Sequence, residues 1–436
     1  MRTSALCCFV GLLAMASAPS FIGCSGRDAS SPVSPRSDEW TSPRFPDPSF
    51  EESEVVLRAA HGTGIDEINA RYGTTTLEVL GASRFYRLGL PEGTTVEQMV
   101  DATVDDPGVA SCQPNFNIEG PEARQSSMSF DDGVDDVNLL EDQRALSQVR
   151  AWIGHRAGAG AGVLVAVLDT GIDPDHPYLV GRIEPGGSDF IDLDSEPWDE
   201  ANGFDDDFDG FVDEALGHGT HISGLVAAVA PQCRILPLRV LDSDGVGTAF
   251  TVASGIRYAV DHGATVVNLS LGMFDEPDVI EEAVEYAQAG GAVCVAAVGN
   301  DASQTIIHFP AIMPSVISVL AVDAFDVLAP FTNFDRCVTV AAPGVGVYST
   351  FWDGGFATWS GTSMATGIMS GAVAVLRGLR PDLGVDAVRD RIRSTGLDIS
   401  ESNPQLGADV GGGRLDLGLL LGIETRDGKP VPIDWR

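Results

Sequence analysis

The spacing of apolar positions divides the chain into two parts. From residue 51 to 120 the period switches between two and 3.6. Residues 55–60 read as a strand, and 65–72 as a helix with Ile65, Ile68 and Tyr72 on one face. Strands follow at 76–80 and 85–90, a helix at 96–104 and a strand at 109–118. The order βαββαβ predicts a small α+β module, ferredoxin-like, with helices on one face of an antiparallel sheet. From about residue 146 the pattern changes. Continuous apolar runs at 163–168, 235–240, 265–271, 292–298 and 316–322 alternate with helical patterns at 219–229, 249–262, 278–289 and 365–379. Strands that are apolar throughout are covered on both faces, which predicts an α/β fold: a mainly parallel β-sheet sandwiched by helices.

The flanks differ from both parts. Met1-Arg2-Thr3 precedes an apolar segment at 5–18 that is too short to span a bilayer and reads as an export signal. Phe21-Ile22-Gly23-Cys24 resembles the lipobox of bacterial lipoproteins, which implies a lipid on Cys24 as the chain's link to a membrane. Residues 25–50 are rich in Ser and Pro without periodicity and read as a flexible tether. The expected organisation is a signal at 1–24, the tether at 25–50, the α+β module at 51–120, a linker at 121–145 and the α/β domain at 146–436. The expected location is extracytoplasmic, as a secreted or membrane-anchored bacterial lipoprotein.

Charge narrows the partners. The 436 residues carry 63 Asp and Glu against 26 Lys and Arg, a formal net charge of -37. Such a surface repels a polyanion, so nucleic acid is excluded as a partner. Beyond the signal, Cys112, Cys233, Cys294 and Cys337 form no C-x-x-C pair, and no structural zinc site is expected.

Three local motifs carry the chemistry. Val167-Leu168-Asp169-Thr170-Gly171 puts Asp169 at the C-terminal end of a buried strand, where open α/β sheets place functional groups. Asp173 and Asp175, just beyond, read as turn formers. Gly217-His218-Gly219-Thr220-His221 opens a small-residue helix, with His218 at its exposed start and His221 as a structural histidine. Gly361-Thr362-Ser363-Met364-Ala365 opens another helix, with Ser363 aimed outward under the positive end of the dipole. A serine hydroxyl needs a base to take its proton, and an imidazole needs a carboxylate to hold its tautomer and stabilise its cation. Asp169, His218 and Ser363 supply those roles. Asn300, ending the run Ala296-Ala297-Val298-Gly299-Asn300, adds an amide donor for an oxyanion.

These motifs resemble the three active-site signatures of the subtilisin-like serine proteases, in the chain order Asp, His, Ser that distinguishes subtilisin from other triads. The resemblance covers roughly residues 146–420. It implies a serine endopeptidase acting on polypeptides through an acyl-enzyme, with no cofactor for catalysis and Asn300 in the oxyanion hole. Gly245-Val246-Gly247 and Ser270-Leu271-Gly272 resemble the two segments that bracket a peptide substrate as an added strand; Gly245, Gly247, Ser270, Leu271 and Gly272 are the expected contacts. Anchored on Phe309-Pro310, His308 falls near the floor of the first specificity pocket, which would be shallow or polar. The 51–120 module resembles the family's inhibitory propeptide, so the chain would be a zymogen cut near 120–136 with its own propeptide as intramolecular inhibitor. After Ala365-Thr366 the family usually has Pro; here Gly367 follows, at a cost under about 1 kcal/mol.

An acidic insert lies between Asp189 and His218, without a Lys or Arg. Asp205, Asp207 and Asp209, with Gly210 for the turn, match the opening of a calcium loop. Position twelve falls on Leu216, so the loop is not an EF-hand, and Asp213 or Glu214 would close it. The expected structural calcium ligands are Asp205, Asp207, Asp209 and Asp213; the competing reading is a solvated acidic loop. Two other functions compete with the protease. One is a non-catalytic binding protein on the same fold. The other is a calcium-dependent surface lipoprotein.

Overall fold

A computed structural model describes residues 50–122, 136–207, 209–304, 306–405, 411–426 and 429–432, without the side chains of 424–432. The expected signal and tether, up to residue 49, and positions 123–135 of the expected linker lie outside the described residues.

The first module is built on β1 (Phe50–Ala59), whose Val55, Leu57 and Ala59 are shielded from water. Helix α1 (Ile65–Tyr72) stops at Gly73, whose φ of 72° closes the helix through a hydrogen bond to Asn69 O. Strands β2 (Thr75–Val79) and β3 (Phe85–Gly89) follow. Helix α2 (Val96–Thr103) begins at a capping box in which Thr95 and Gln98 each accept from the other's backbone N–H. The last strand is β4 (Val109–Glu119). β1 pairs antiparallel with both β3 and β4, and β2 with β3. The sheet has five strands, however, and the fifth comes from the second module.

That module starts with three short helices, α3 (Val137–Asp142), α4 (Arg144–Gln148) and α5 (Ala151–Ala157). The chain then runs β5 (Leu164–Asp169), β6 (Ser188–Asp189), α6 (His218–Val229), β7 (Arg234–Arg239), β8 (Val246–Thr248) and α7 (Ala249–Asp261). It continues through β9 (Val266–Leu269), α8 (Asp278–Ala289), β10 (Val293–Ala297), β11 (Ile317–Val322) and β12 (Val340–Pro343). A hairpin of β13 (Val347–Thr350) and β14 (Phe356–Trp359) leads into α9 (Thr362–Leu379), then α10 (Val385–Thr395). Seven strands form a parallel sheet in the order β12-β11-β10-β9-β5-β7-β6. The pleat sends successive side chains to opposite faces. Val165 and Val167 join the core with α6 and α9, and Ala166 and Leu168 the core with α7 and α8. Both faces are covered, as the continuous apolar runs predict. No helix among the described residues is long and apolar enough to cross a membrane.

The two modules meet along β4. Its end pairs antiparallel with β8, Asn117 to Thr248, Ile118 to Gly247 and Glu119 to Val246, so β8 completes the first module's sheet. Two amides on β4 satisfy orphan N–H groups at helix starts. Gln113 Oε1 accepts from Asp278 N at 2.9 Å, at the start of α8, and the buried Asn115 Oδ1 from Phe250 N at 3.3 Å, in the first turn of α7.

Candidate active site

Asp169 ends β5 with no exposure to water. Its Oδ1 accepts from Thr170 N at 2.9 Å and from His218 Nδ1 at 2.6 Å. His218 is the first residue of α6, and Trp359 supports its ring edge-on, 5.2 Å between centroids. Glycine at 219 is what lets the two elements meet: a Cβ there would lie 2.1 Å from Gly171 O and 3.1 Å from Asp169 Cβ. Ser363 stands in the first turn of α9, whose N-terminal N–H groups have no partner inside the helix. Asn300 follows β10. Its Oδ1 accepts from Thr362 N and Oγ1 at 3.1 and 2.9 Å, which turns its Nδ2 toward Ser363.

The group that fills this centre is Glu122, and nothing in the residue pattern marked it. Its buried carboxylate accepts on Oε1 from Asn300 Nδ2 at 3.0 Å and Ser363 N at 3.2 Å. On Oε2 it accepts from Ser363 Oγ at 2.5 Å and His218 Nε2 at 3.2 Å. His218, Ser363 and Asn300 thus converge on one carboxylate, with Asp169 on the other nitrogen of the His218 ring. Burial opposes charging of the His218 imidazole, but Asp169 and then Glu122 outweigh it and push His218 up to about 10. His221, buried behind it and hydrogen-bonded to Ala357 O, is driven down to about 3 by burial and by His218. Asp173 accepts from Asp175 N in its own loop and from Gly354 N in the turn between β13 and β14.

The segments expected to hold a peptide do bracket a strand, which is the chain's own residues 117–120. Beyond the β8 pairing, Glu119 and Gly272 exchange N–H···O bonds of 3.2 and 2.9 Å, and Gly120 N donates to Gly245 O at 2.9 Å. Ser270 Oγ donates to Ser363 O at 3.3 Å, Ser363 Oγ lies 3.3 Å from Ser270 O, and Leu271 is buried. His308 lies between two glycines: a Cβ on Gly272 would sit 2.7 Å from His308 Cβ, and one on Gly299 2.8 Å from the ring. His308 Nε2 donates to Asp301 Oδ2 at 2.6 Å, and Phe274 closes on the ring edge at 4.7 Å.

In the acidic insert, carboxylate oxygens of Asp205, Asp207 and Asp209 lie within 4.8 Å of one another. Asp213 is turned elsewhere: its carboxylate accepts from Asn202 N and Gly203 N. Glu214, whose carboxylate oxygens are shielded from water, is pushed up to about 8 by burial first, then by Asp244, Asp207 and Asp209.

A model of the subtilase family matches residues 160–413, more than half of the chain. The chain belongs to the subtilase family. It is a subtilisin-like serine protease by that membership. A thermophilic serine proteinase from Bacillus sp. (strain AK1) is 32% identical over 370 residues, 80% of this chain and 84% of that protein. Thermitase from Thermoactinomyces vulgaris is 41% identical over 227 residues, 50% of this chain and 75% of its own. Among solved structures, fervidolysin from Fervidobacterium pennivorans, described as a keratinolytic enzyme related to subtilisin, superposes with a TM-score of 0.71. It is 24% identical and is matched over 87% of this chain and 62% of its own, a likeness of fold.

The charge state of His218 in this subtilase is measurable. A pKa raised above the unfolded value of about 6.5 means that the ion pair's stabilisation is complete below that pH and is lost as pH rises through about 10. In the full-length Ser363→Ala chain, imidazole ¹⁵N shifts of His218 are expected to show both nitrogens protonated at pH 7. The midpoint should be near 10, and lower in Asp169→Asn. A midpoint near 6.5 in the chain that keeps Asp169 would refute this account.

Proposed function

We propose that the chain is an exported zymogen of a serine endopeptidase whose triad is Asp169, His218 and Ser363. The observation that carries the reading is the convergence of Ser363 Oγ, Ser363 N, His218 Nε2 and Asn300 Nδ2 on a single anion. With a substrate carbonyl in place of that anion, Ser363 Oγ attacks carbon and His218 Nε2 takes its proton. Asp169 holds the Nδ1–H and stabilises the cation that results. Asn300 Nδ2 and Ser363 N donate to the oxyanion, each such donor being worth about 3 kcal/mol of barrier. His218 then gives its proton to the leaving amine, and water releases the acyl group by the reverse sequence.

Residues 51–120 would act as the propeptide, since β4 lies along the groove where a substrate strand would add. The ring of His308 between Gly272 and Gly299 supports a shallow, polar first specificity pocket. The leader and Cys24 support an extracytoplasmic location, with a lipid on Cys24 as the membrane link. The oxygen donors Asp205, Asp207 and Asp209 suit a hard cation, and calcium would tie the insert down through them. Asp213 would contribute only by giving up its two backbone bonds.

Three experiments follow. A serine-directed phosphonate should label the processed protein and leave Ser363→Ala unlabelled; that variant should accumulate as the full precursor in a protease-deficient host, and its efficient processing there would argue against self-cleavage. Cleavage of peptide libraries should favour small residues before the scissile bond, and a strong preference for large aromatics would count against the His308 assignment. Chelation should lower the thermal midpoint of the full chain, with calcium restoring it. No shift would dismiss the structural ion.

A further inference from the structure

The zymogen reading leaves open what keeps the precursor from acting on itself, and the register of β4 bears on that. Each step of the ladder places a main-chain group one residue nearer Ser363: Ile118 opposite Gly247, Glu119 against both Val246 and Gly272, Gly120 N on Gly245 O. The next residue is Pro121, which has no N–H and cannot extend the ladder toward Ser270. The chain turns at Pro121 and Glu122, and a side chain reaches the reaction centre instead.

The Glu122 carboxylate has two oxygens on one carbon. One lies on the two donors expected to hold an oxyanion, the other on the nucleophile and the base. A carboxylate so placed has the charge and shape of the acid left after acyl-enzyme hydrolysis. It has no leaving group, so Ser363 has no bond to break there. It also holds the Ser363 proton in its own hydrogen bond. Gly361 is shaped around it, since a Cβ at 361 would lie 1.6 Å from Glu122 Oε1.

We propose that Glu122 is a built-in product analogue, a non-cleavable carboxylate that occupies the oxyanion hole and holds the precursor inactive until it withdraws. The proposal deepens the zymogen reading and rests on it. The ligand class is defined by the chemistry: a carboxylate carried one residue beyond a proline that ends the added strand. The peptide bond between Pro121 and Glu122 is then not the one presented for cleavage.

The test uses the full-length chain refolded from denaturant, with a diphenyl phosphonate as the probe and label and processing read on the same gel. Glu122→Ala should be labelled at least about tenfold faster than the wild-type precursor, with Glu122→Gln between them, and self-processing should accelerate in the same order. Acetate at millimolar to molar concentration should slow labelling of Glu122→Ala again, relative to chloride at equal ionic strength, and should leave wild type little changed. That rescue separates occupation of the site from general loosening of the fold. Wild-type labelling rates in both variants, with the processed enzyme labelled readily, would overturn the Glu122 proposal and leave the zymogen reading standing. Failure of acetate to protect a fast-labelled Glu122→Ala would also overturn it. A processed enzyme that takes no label at all would overturn both.

Discussion

The candidate site depends on holding a carboxylate out of contact with water. Removing an ion of this size from water costs several kcal/mol, so Asp169 is tolerable only with donors fixed against it. Thr170 N supplies one and His218 Nδ1 the other, and the second requires α6 to begin within hydrogen-bond distance of the end of β5. Only glycine at 219 permits that approach. Once α6 is placed, α9 shares its core through Ile222, Leu225 and Val226, and that packing brings Ser363 to the side of the His218 ring away from Asp169. The positions of His218 and Ser363 thus follow from pairing one oxygen of a buried carboxylate.

How much of this was legible from sequence depended on the length scale of the signal. The strands β5, β7, β9, β10 and β11 announced themselves because burial on both faces forces an unbroken apolar run. The βαββαβ order of the first module was readable for the complementary reason, a change of period at each element. Asp169, His218 and Ser363 were legible because each motif carries its own glycine, placed where backbone or ligand comes too close for a Cβ. Strand β8, of three residues, is too short to show any period, and β13 and β14, four residues each, form a hairpin outside the main sheet.

Glu122 was invisible for a different reason. It follows a proline beyond the last strand, in a stretch without periodicity, and it is one of 63 acidic residues in the chain. Its place arises from the register of β4 against β8 and Gly272, which is a property of two distant segments together. Asp213 shows the converse limit. Its spacing from Asp205 and Asp209 fits a cation loop, but the nearest donors to its carboxylate are the N–H groups of residues 202 and 203, and a short local hydrogen bond competes with any ion.

The shared five-stranded sheet also determines what cutting the chain can accomplish. Four strands come from the first module and one from the second, and the seam between β4 and β8 is made of hydrogen bonds rather than of the covalent connection that follows Glu122. Scission beyond that seam leaves every bond across it in place. What changes is molecularity: an intramolecular contact held at high effective concentration becomes a complex of two chains that dilution can separate. Cutting the peptide and vacating the groove are therefore two events, and the second has a rate of its own.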